Sequence, residues 1–347
     1  AYTTIKKPSD YFNTKLYTGN GGTQSVTGVG FQPDWVWLKS RSVADSPILF
    51  DAVRGVTKRI MSNSTGIETT EAQEVQSFDS DGFTVGNSDN ANRSGATMVA
   101  WNWLGANGTA SNTSGSITST VSANTTAGFS IVSYTSTGSN ATIGHGLGVA
   151  PAMIIFKRRS GDTENWVVYH KSLGATKSVI LNGGDAQATS SARFQDTSPT
   201  PTLFSVGTSG DVNGGSSPFI AYCFAEKTGY SKFGSYTGNG NADGTFVYTG
   251  FKPAWVLVKC TSAQADWELS DNKRTTSGGN VIDKEVRPNT AAAETGGTDG
   301  RYIDYVSNGF KLRQGFGNWN DSGATYIYMA LAEAPLVGSN NVPCTAR

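Results

Sequence analysis

Hydrophobic positions fall in short dense runs separated by polar turns, and one such run returns three times. Trp35-Val-Trp-Leu38, Met153-Ile-Ile-Phe156 and Trp255-Val-Leu-Val258 each follow a proline (Pro33, Pro151, Pro253) and end on a lysine (Lys39, Lys157, Lys259). Aromatic and β-branched runs of this length, bounded by Gly, Asn, Asp and Ser, predict strands. Proline cannot donate a ladder hydrogen bond, so each proline is expected at the first residue of its strand. Upstream lie Tyr17-Thr-Gly-Asn-Gly21, Tyr134-Thr-Ser-Thr-Gly138 and Tyr236-Thr-Gly-Asn-Gly240. Downstream lie Gly82-Phe83-Thr-Val-Gly86, Phe204-Ser-Val-Gly207 and Gly309-Phe310-Lys-Leu312, each followed by an apolar strand ending at Trp103, Phe224 or Leu331. The intervals Phe83 to Trp103, Phe204 to Phe224 and Phe310 to Leu331 are 20, 20 and 21 residues, while the middle of each copy varies in length. Constant spacing marks scaffold and variable spacing marks loops, and a repeat of this kind sets the architecture.

Asp79-Ser-Asp-Gly82, Val306-Ser-Asn-Gly309 and Thr18-Gly-Asn-Gly21 carry the residues of hairpin turns. No long helical periodicity exists; the short helical candidates, 51–58 and 170–177, are broken by Gly55 and Gly174. The pattern predicts an all-β protein of three tandem antiparallel β-sandwich, jelly-roll-like domains, over 1–105, 129–227 and 228–335. Residues 106–128 read as a Gly/Ser/Thr/Asn linker, long and flexible, and 336–347 as a C-terminal extension held only by a partner. The second junction, at Lys227-Thr-Gly229, is tight, so copies two and three are expected to dock more rigidly.

A chain of 347 residues has room for three such copies. Only 16% of residues are charged, Lys plus Arg equals Asp plus Glu at 27 each, and glycine numbers 42. A neutral, hydroxyl-rich surface offers no field to collect nucleic acid or anionic lipid, so neither is expected as a partner. No stretch approaches the roughly 20 apolar residues of a membrane helix, and the start lacks the apolar centre of a signal peptide. The expectation is a protein that is cytoplasmic or released by lysis, without membrane insertion. Cys223, Cys260 and Cys344 show no metal or redox spacing, and Cys223 reads as a buried thiol.

His145 and His170 have no counterparts in the other copies, and no Gly-x-Ser-x-Gly elbow is present. Asp79, Asp81, Glu68, Glu71 and Glu74 lie in turn-like or solvated segments and read as surface charge rather than a glycosidase pair. Asp79-Ser-Asp-Gly82 begins like a calcium loop, but the twelfth position is Asn90 where a bidentate Glu is required. No catalytic residue, cofactor or metal site is expected, and the protein is not expected to be an enzyme. The recurring aromatics, Trp35 with Trp255 and Phe83 with Phe204 and Phe310, read as core. Trp166, Trp267, Tyr302 and Trp319 lie in the variable middles and are either core lids or surface contact residues, since an exposed Trp or Tyr joins a large apolar face to a polar handle.

Phe31-Gln-Pro-Asp-Trp-Val-Trp-Leu-Lys39, Leu49 to Lys58, Phe78-Asp-Ser-Asp-Gly-Phe-Thr-Val-Gly86 and Met98-Val-Ala-Trp-Asn-Trp103 together resemble a family of structural proteins of tailed bacteriophages, many of them marine, described as tail-fibre or virion structural proteins. Tyr326 to Pro335 and Val342 to Arg347 resemble the ends of those proteins; copy two departs most, with Met153 in place of Trp. The resemblance implies a virion protein, assembled in the host cytoplasm and released by lysis. Its partners would be other virion proteins, itself as a homo-oligomer, and a host-surface glycan or protein. A tail or head fibre adhesin, a capsid decoration protein, a carbohydrate-binding module and a polysaccharide depolymerase are the alternatives, in that order. Tandem copies would extend reach and multiply weak contacts.

Overall fold

The computed structural model describes residues 3–276, 280–296, 303–315 and 317–337. These form antiparallel sheets with only single-turn helices, such as Asp89–Asn92 and Gly210–Asn213. Each repeat lays its strands in two layers. In the first, the inner sheet runs Phe12–Thr18, Thr97–Trp103, Trp35–Ser40, Ile48–Asp51, Lys58–Met61, Thr69–Thr70, and the outer sheet runs Gln24–Thr27, Gly82–Val85, Val75–Asp79. The second repeats the inner order with Phe129–Thr135, Pro218–Phe224, Met153–Arg158, Val167–His170, Lys177–Ile180 and Ala188–Thr189, and its outer layer pairs Ala141–Gly144 with Leu203–Val206. The third has Ser231–Thr237, Thr325–Pro335, Phe251–Cys260 and Trp267–Asp271 inside, with Phe246–Tyr248, Gly309–Leu312, Ile303–Val306 and Val281–Ile282 outside. First and last strands of each copy pair in one register: Tyr17 faces Met98, Tyr134 faces Phe219 and Tyr236 faces Tyr326.

Local signals behaved unevenly. The hairpins close at Asp79–Gly82 and Val306–Gly309 as expected, with Gly82 at φ 146°. The helical candidates at 51–58 and 170–177 form strand ends and turns, because Gly55 and Gly174 hold positive φ. Pro33 and Pro151 precede their strands, whereas Pro253 lies inside Phe251–Cys260 at a register shift, where the missing donor is tolerated.

The inner strands are buried on both faces. Val36 and Leu38 meet Val26, Phe83 and Val85 of their own outer sheet; Ile154 and Phe156 meet Ile143, Phe204 and Val206; Val256 and Val258 meet Val247, Phe310 and Leu312. The alternate residues, Trp35, Trp37, Met153, Ile155, Trp255 and Leu257, enter a single cluster common to all three copies. Trp35 stacks on Tyr222 of copy two at 4.4 Å, and Trp103 meets Trp255 of copy three edge-on at 5.8 Å. Each copy is sandwich-like, as expected, but it does not bury its core alone, because the three inner sheets share one core.

The expected linker is corrected. Ala110–Asn112 and Ser119–Asn124 are strands that extend the inner sheet of copy two. Asp34 fixes the preceding turn by accepting the N–H groups of Gly105 and Asn107 at 2.7 and 3.1 Å. Main-chain pairing needs no hydrophobic periodicity, so a Ser/Thr/Asn-rich segment can join a sheet edge.

Three equivalent junctions close the ring. The N–H of Glu68 donates to the Arg159 carbonyl, that of Gln187 to Thr261, and that of Glu294 to Arg41, at 2.9, 3.0 and 2.8 Å. Copy one thus touches copy two as two touches three and as three touches one. The repeated lysines act at these junctions: Lys157 Nζ donates to the Thr65 carbonyl at 2.8 Å, Lys259 to Gly184 at 3.0 Å and Lys39 to Thr290 at 3.0 Å. Burial pushes each ammonium down to about 8. Asp51 accepts the Tyr222 hydroxyl at 2.7 Å and holds buried Arg54, and Asp271 accepts Trp101 Nε1 at 3.0 Å and holds buried Arg274. At the junction of copies two and three the facing strand presents Met329, which has no donor, and His170 replaces the aspartate, its Nε2 lying 3.1 Å from the Tyr328 carbonyl.

Candidate surface-contact site

Of the aromatics singled out in the sequence, Trp166, Trp267 and Trp319 are 0, 1 and 3% exposed and are not surface contact residues. This corrects their reading as contacts. Trp166 Nε1 donates across a junction to the Met61 carbonyl at 2.9 Å, and Trp267 Nε1 to Ile180 at 2.8 Å. Trp319 lies in the core of copy three with Nε1 on Glu285 at 2.7 Å. Tyr302 lies outside the described residues. A buried indole satisfied by one carbonyl of another copy makes Trp166 and Trp267 junction anchors.

The titratable candidates are likewise structural. Asp81 accepts the N–H groups of Gly28 and Gly30, at 2.9 and 2.7 Å, and Asp79 accepts the Thr84 hydroxyl. Glu74 is buried rather than solvated, paired with Arg59 at 2.9 Å, and Glu68 bridges Arg54 and Arg159 across the first junction. His145 is buried beside the Thr200 carbonyl, and burial pushes its imidazole down. Among the described residues, no group of three His, Cys, Asp or Glu is arranged to hold a metal. Cys223 is a buried free thiol that burial pushes up, and Cys344 lies outside the described residues.

Exposed large hydrophobics among the described residues are Ile67, Val149, Phe246, Tyr248 and Val281, and the last three belong to the outer sheet of copy three. Strand alternation places Val247 against Phe310 in the core and turns Phe246 and Tyr248 outward, 44 and 57% exposed. The register Val26 with Phe83, Ile143 with Phe204 and Val247 with Phe310 fixes their counterparts. Phe246 corresponds to Ser25 and Thr142, and Tyr248 to Thr27 and Gly144. Only copy three carries aromatics at these outward positions.

Tyr248 also lines a groove of about 300 Å³ with Thr3, Glu226, Lys232, Thr249 and Leu336. Lys232 pairs with Glu226 at 2.7 Å, and Lys171 reaches the other carboxylate oxygen. Burial alone would raise the Glu226 carboxyl, but hydrogen bonds from Lys171 and Lys232 overturn that and hold it below the usual range. The carboxylate is therefore charged at neutral pH.

The chain belongs to the DUF7483 family. The match, to a domain of unknown function, covers residues 7–335. It spans all three copies and stops at Pro335, the last residue of the last strand, so the DUF7483 unit is the whole ring rather than one sandwich. No match is found among curated proteins. No helix among the described residues of this DUF7483 chain is long and apolar enough to cross a membrane.

Sequence reasoning missed Phe246 and Tyr248 because it sought contact residues in the variable middles. The available signal was an aromatic pair at period two, in a strand whose aligned positions elsewhere hold Ser, Thr and Gly. A departure from the repeat at an outward position of a conserved-register strand marks what the shared fold does not require.

Proposed function

We propose that this DUF7483 chain is a structural protein of a tailed-bacteriophage particle, a fibre or adhesin component that contacts the host surface through the outer face of copy three. The resemblance of its repeat to virion structural proteins supports the class. The observation that carries the contact is the Phe246/Tyr248 pair, two adjacent exposed aromatics at positions where the other copies hold Ser25, Thr27, Thr142 and Gly144. Aromatic side chains supply contact area at low cost in side-chain entropy. The groove's described lining holds one carboxylate, Glu226, whereas hydrolysis by a carboxylate pair needs two, so a depolymerase is disfavoured there.

A capsid decoration protein is the second reading, favoured by one feature. The ring closes the three copies into one body, so tripling adds a platform rather than length. Purified particles probed by mass spectrometry and by gold-labelled antibody test both readings. Stoichiometric protein with label on tail or fibres is expected; label spread over the capsid selects decoration, and absence from particles defeats both.

A further inference from the structure

The groove beside Tyr248 names the ligand class, an inference that rests on the surface-contact reading above. Copy two shows what this edge strand otherwise does. There the chain covers its own edge: Thr142 N–H donates to Ser116 Oγ at 2.9 Å, Ile117 N–H donates to the Thr142 carbonyl at 3.0 Å, and Ser119 Oγ donates to the Gly144 carbonyl at 2.7 Å. Asn112 lies so close over Gly144 that a Cβ there would sit 2.1 Å from its Oδ1. In copy three the equivalent of Gly144 is Tyr248, whose side chain excludes a strand laid in that manner. The aromatic pair replaces the covering strand, which argues for a ligand that meets side chains.

The lining has the chemistry of a polyhydroxylated ring. Tyr248 supplies an apolar face with a polar tip, Glu226 accepts and Lys232 donates. Gly229 and Gly250 hold φ of 74° and 82°, which keeps backbone rather than side chain in the wall. A volume of about 300 Å³ lies at the small end of ligand pockets. A phosphate or anionic headgroup would meet the Glu226 carboxylate, whereas a neutral sugar uses both partners and stacks its C–H face. We propose that this groove binds a hexopyranose unit of a surface glycan, with Tyr248 against the ring and the Glu226–Lys232 pair on its hydroxyls.

Saturation-transfer NMR on the full chain tests this with the methyl glycosides of glucose, galactose, mannose and N-acetylglucosamine. At least one is expected to receive saturation, strongest at its ring C–H protons. Tyr248→Ala should weaken that binding roughly tenfold, the loss of a contact worth about 1.4 kcal/mol. Glu226→Gln should weaken it severalfold, and Phe246→Ala, which does not line the groove, should leave it within about twofold. Because Tyr248 is exposed, its variant should keep the far-UV spectrum and melting temperature of the parent. No transfer from any of the four, or transfer unchanged by Tyr248→Ala, overturns the proposal. Particles carrying Tyr248→Ala separate the two levels. Reduced adsorption without glycoside binding removes only the glycan, while unchanged adsorption removes the surface-contact reading as well.

Discussion

Asp51→Ala tests the shared core at one atom cluster. The Asp51 and Arg54 side chains are both 0% exposed, and the carboxylate accepts four hydrogen bonds: Val53 N–H at 3.1 Å, Arg54 N–H at 2.8 Å, Arg54 Nε at 2.5 Å and the Tyr222 hydroxyl at 2.7 Å. Truncation leaves the guanidinium with Glu68 at 3.3 Å as its remaining acidic contact and strands buried donors from two copies. Removing one partner of a buried pair costs about 3–5 kcal/mol, so a loss of about 4 kcal/mol is expected. The double variant Asp51→Ala/Arg54→Leu carries no orphaned charge and should cost about 2 kcal/mol, chiefly for the unpaired N–H groups and hydroxyl. Guanidinium unfolding followed by tryptophan fluorescence and far-UV circular dichroism measures both. Trp35, Trp101, Trp166 and Trp255 all lie in the common cluster, so the two signals should shift together in one transition. A single variant losing less than about 1 kcal/mol, or a transition in which only part of the far-UV signal moves, would refute the reasoning.

Three further outcomes follow from named contacts. Burial pushes His170 down to about 4, so the unfolded chain binds a proton below about 6.5 that the folded chain refuses until about 4. Its stabilisation is whole above pH 6.5 and lost as pH falls towards 4, by roughly 3 kcal/mol in total; His170→Gln should flatten the denaturation midpoint across that window. Trp166→Ala and Trp267→Ala should each cost about 3–5 kcal/mol in chemical denaturation, and a cost under about 1 kcal/mol would contradict their anchoring role. Gly144→Ala should push Asn112 off the edge of copy two, which hydrogen exchange would report as faster exchange at the Ile117 amide; unchanged protection there would count against the covering strand.

Aligned Tyr, Pro and Phe landmarks, with a nearly constant interval from each Phe to the end of the following strand, were enough to establish an all-strand chain built from one repeated unit, because local strand and turn chemistry is written in short windows. The hairpins at Gly82 and Gly309 were legible for the same reason. The ring was not. A run such as Trp35-Val-Trp-Leu38 reads alike whether one or both faces are buried, since burial on both sides erases the alternation that would show where the second face goes. Lys39, Lys157 and Lys259 looked like ordinary polar strand ends, yet each meets a carbonyl of the preceding copy around the ring, a contact set by closure rather than by neighbours in the chain. Ala110–Asn112 and Ser119–Asn124 carried a linker's composition and became strands because an open edge lay beside them. The candidate site followed the same division: the sequence supplied the aromatic pair at 246 and 248, and tertiary packing decided that these two face solvent while Trp166, Trp267 and Trp319 do not. Side-chain identity and spacing fix which backbone pairs locally, but exposure is a property of what other segments cover, and that depends on long-range packing no short window contains.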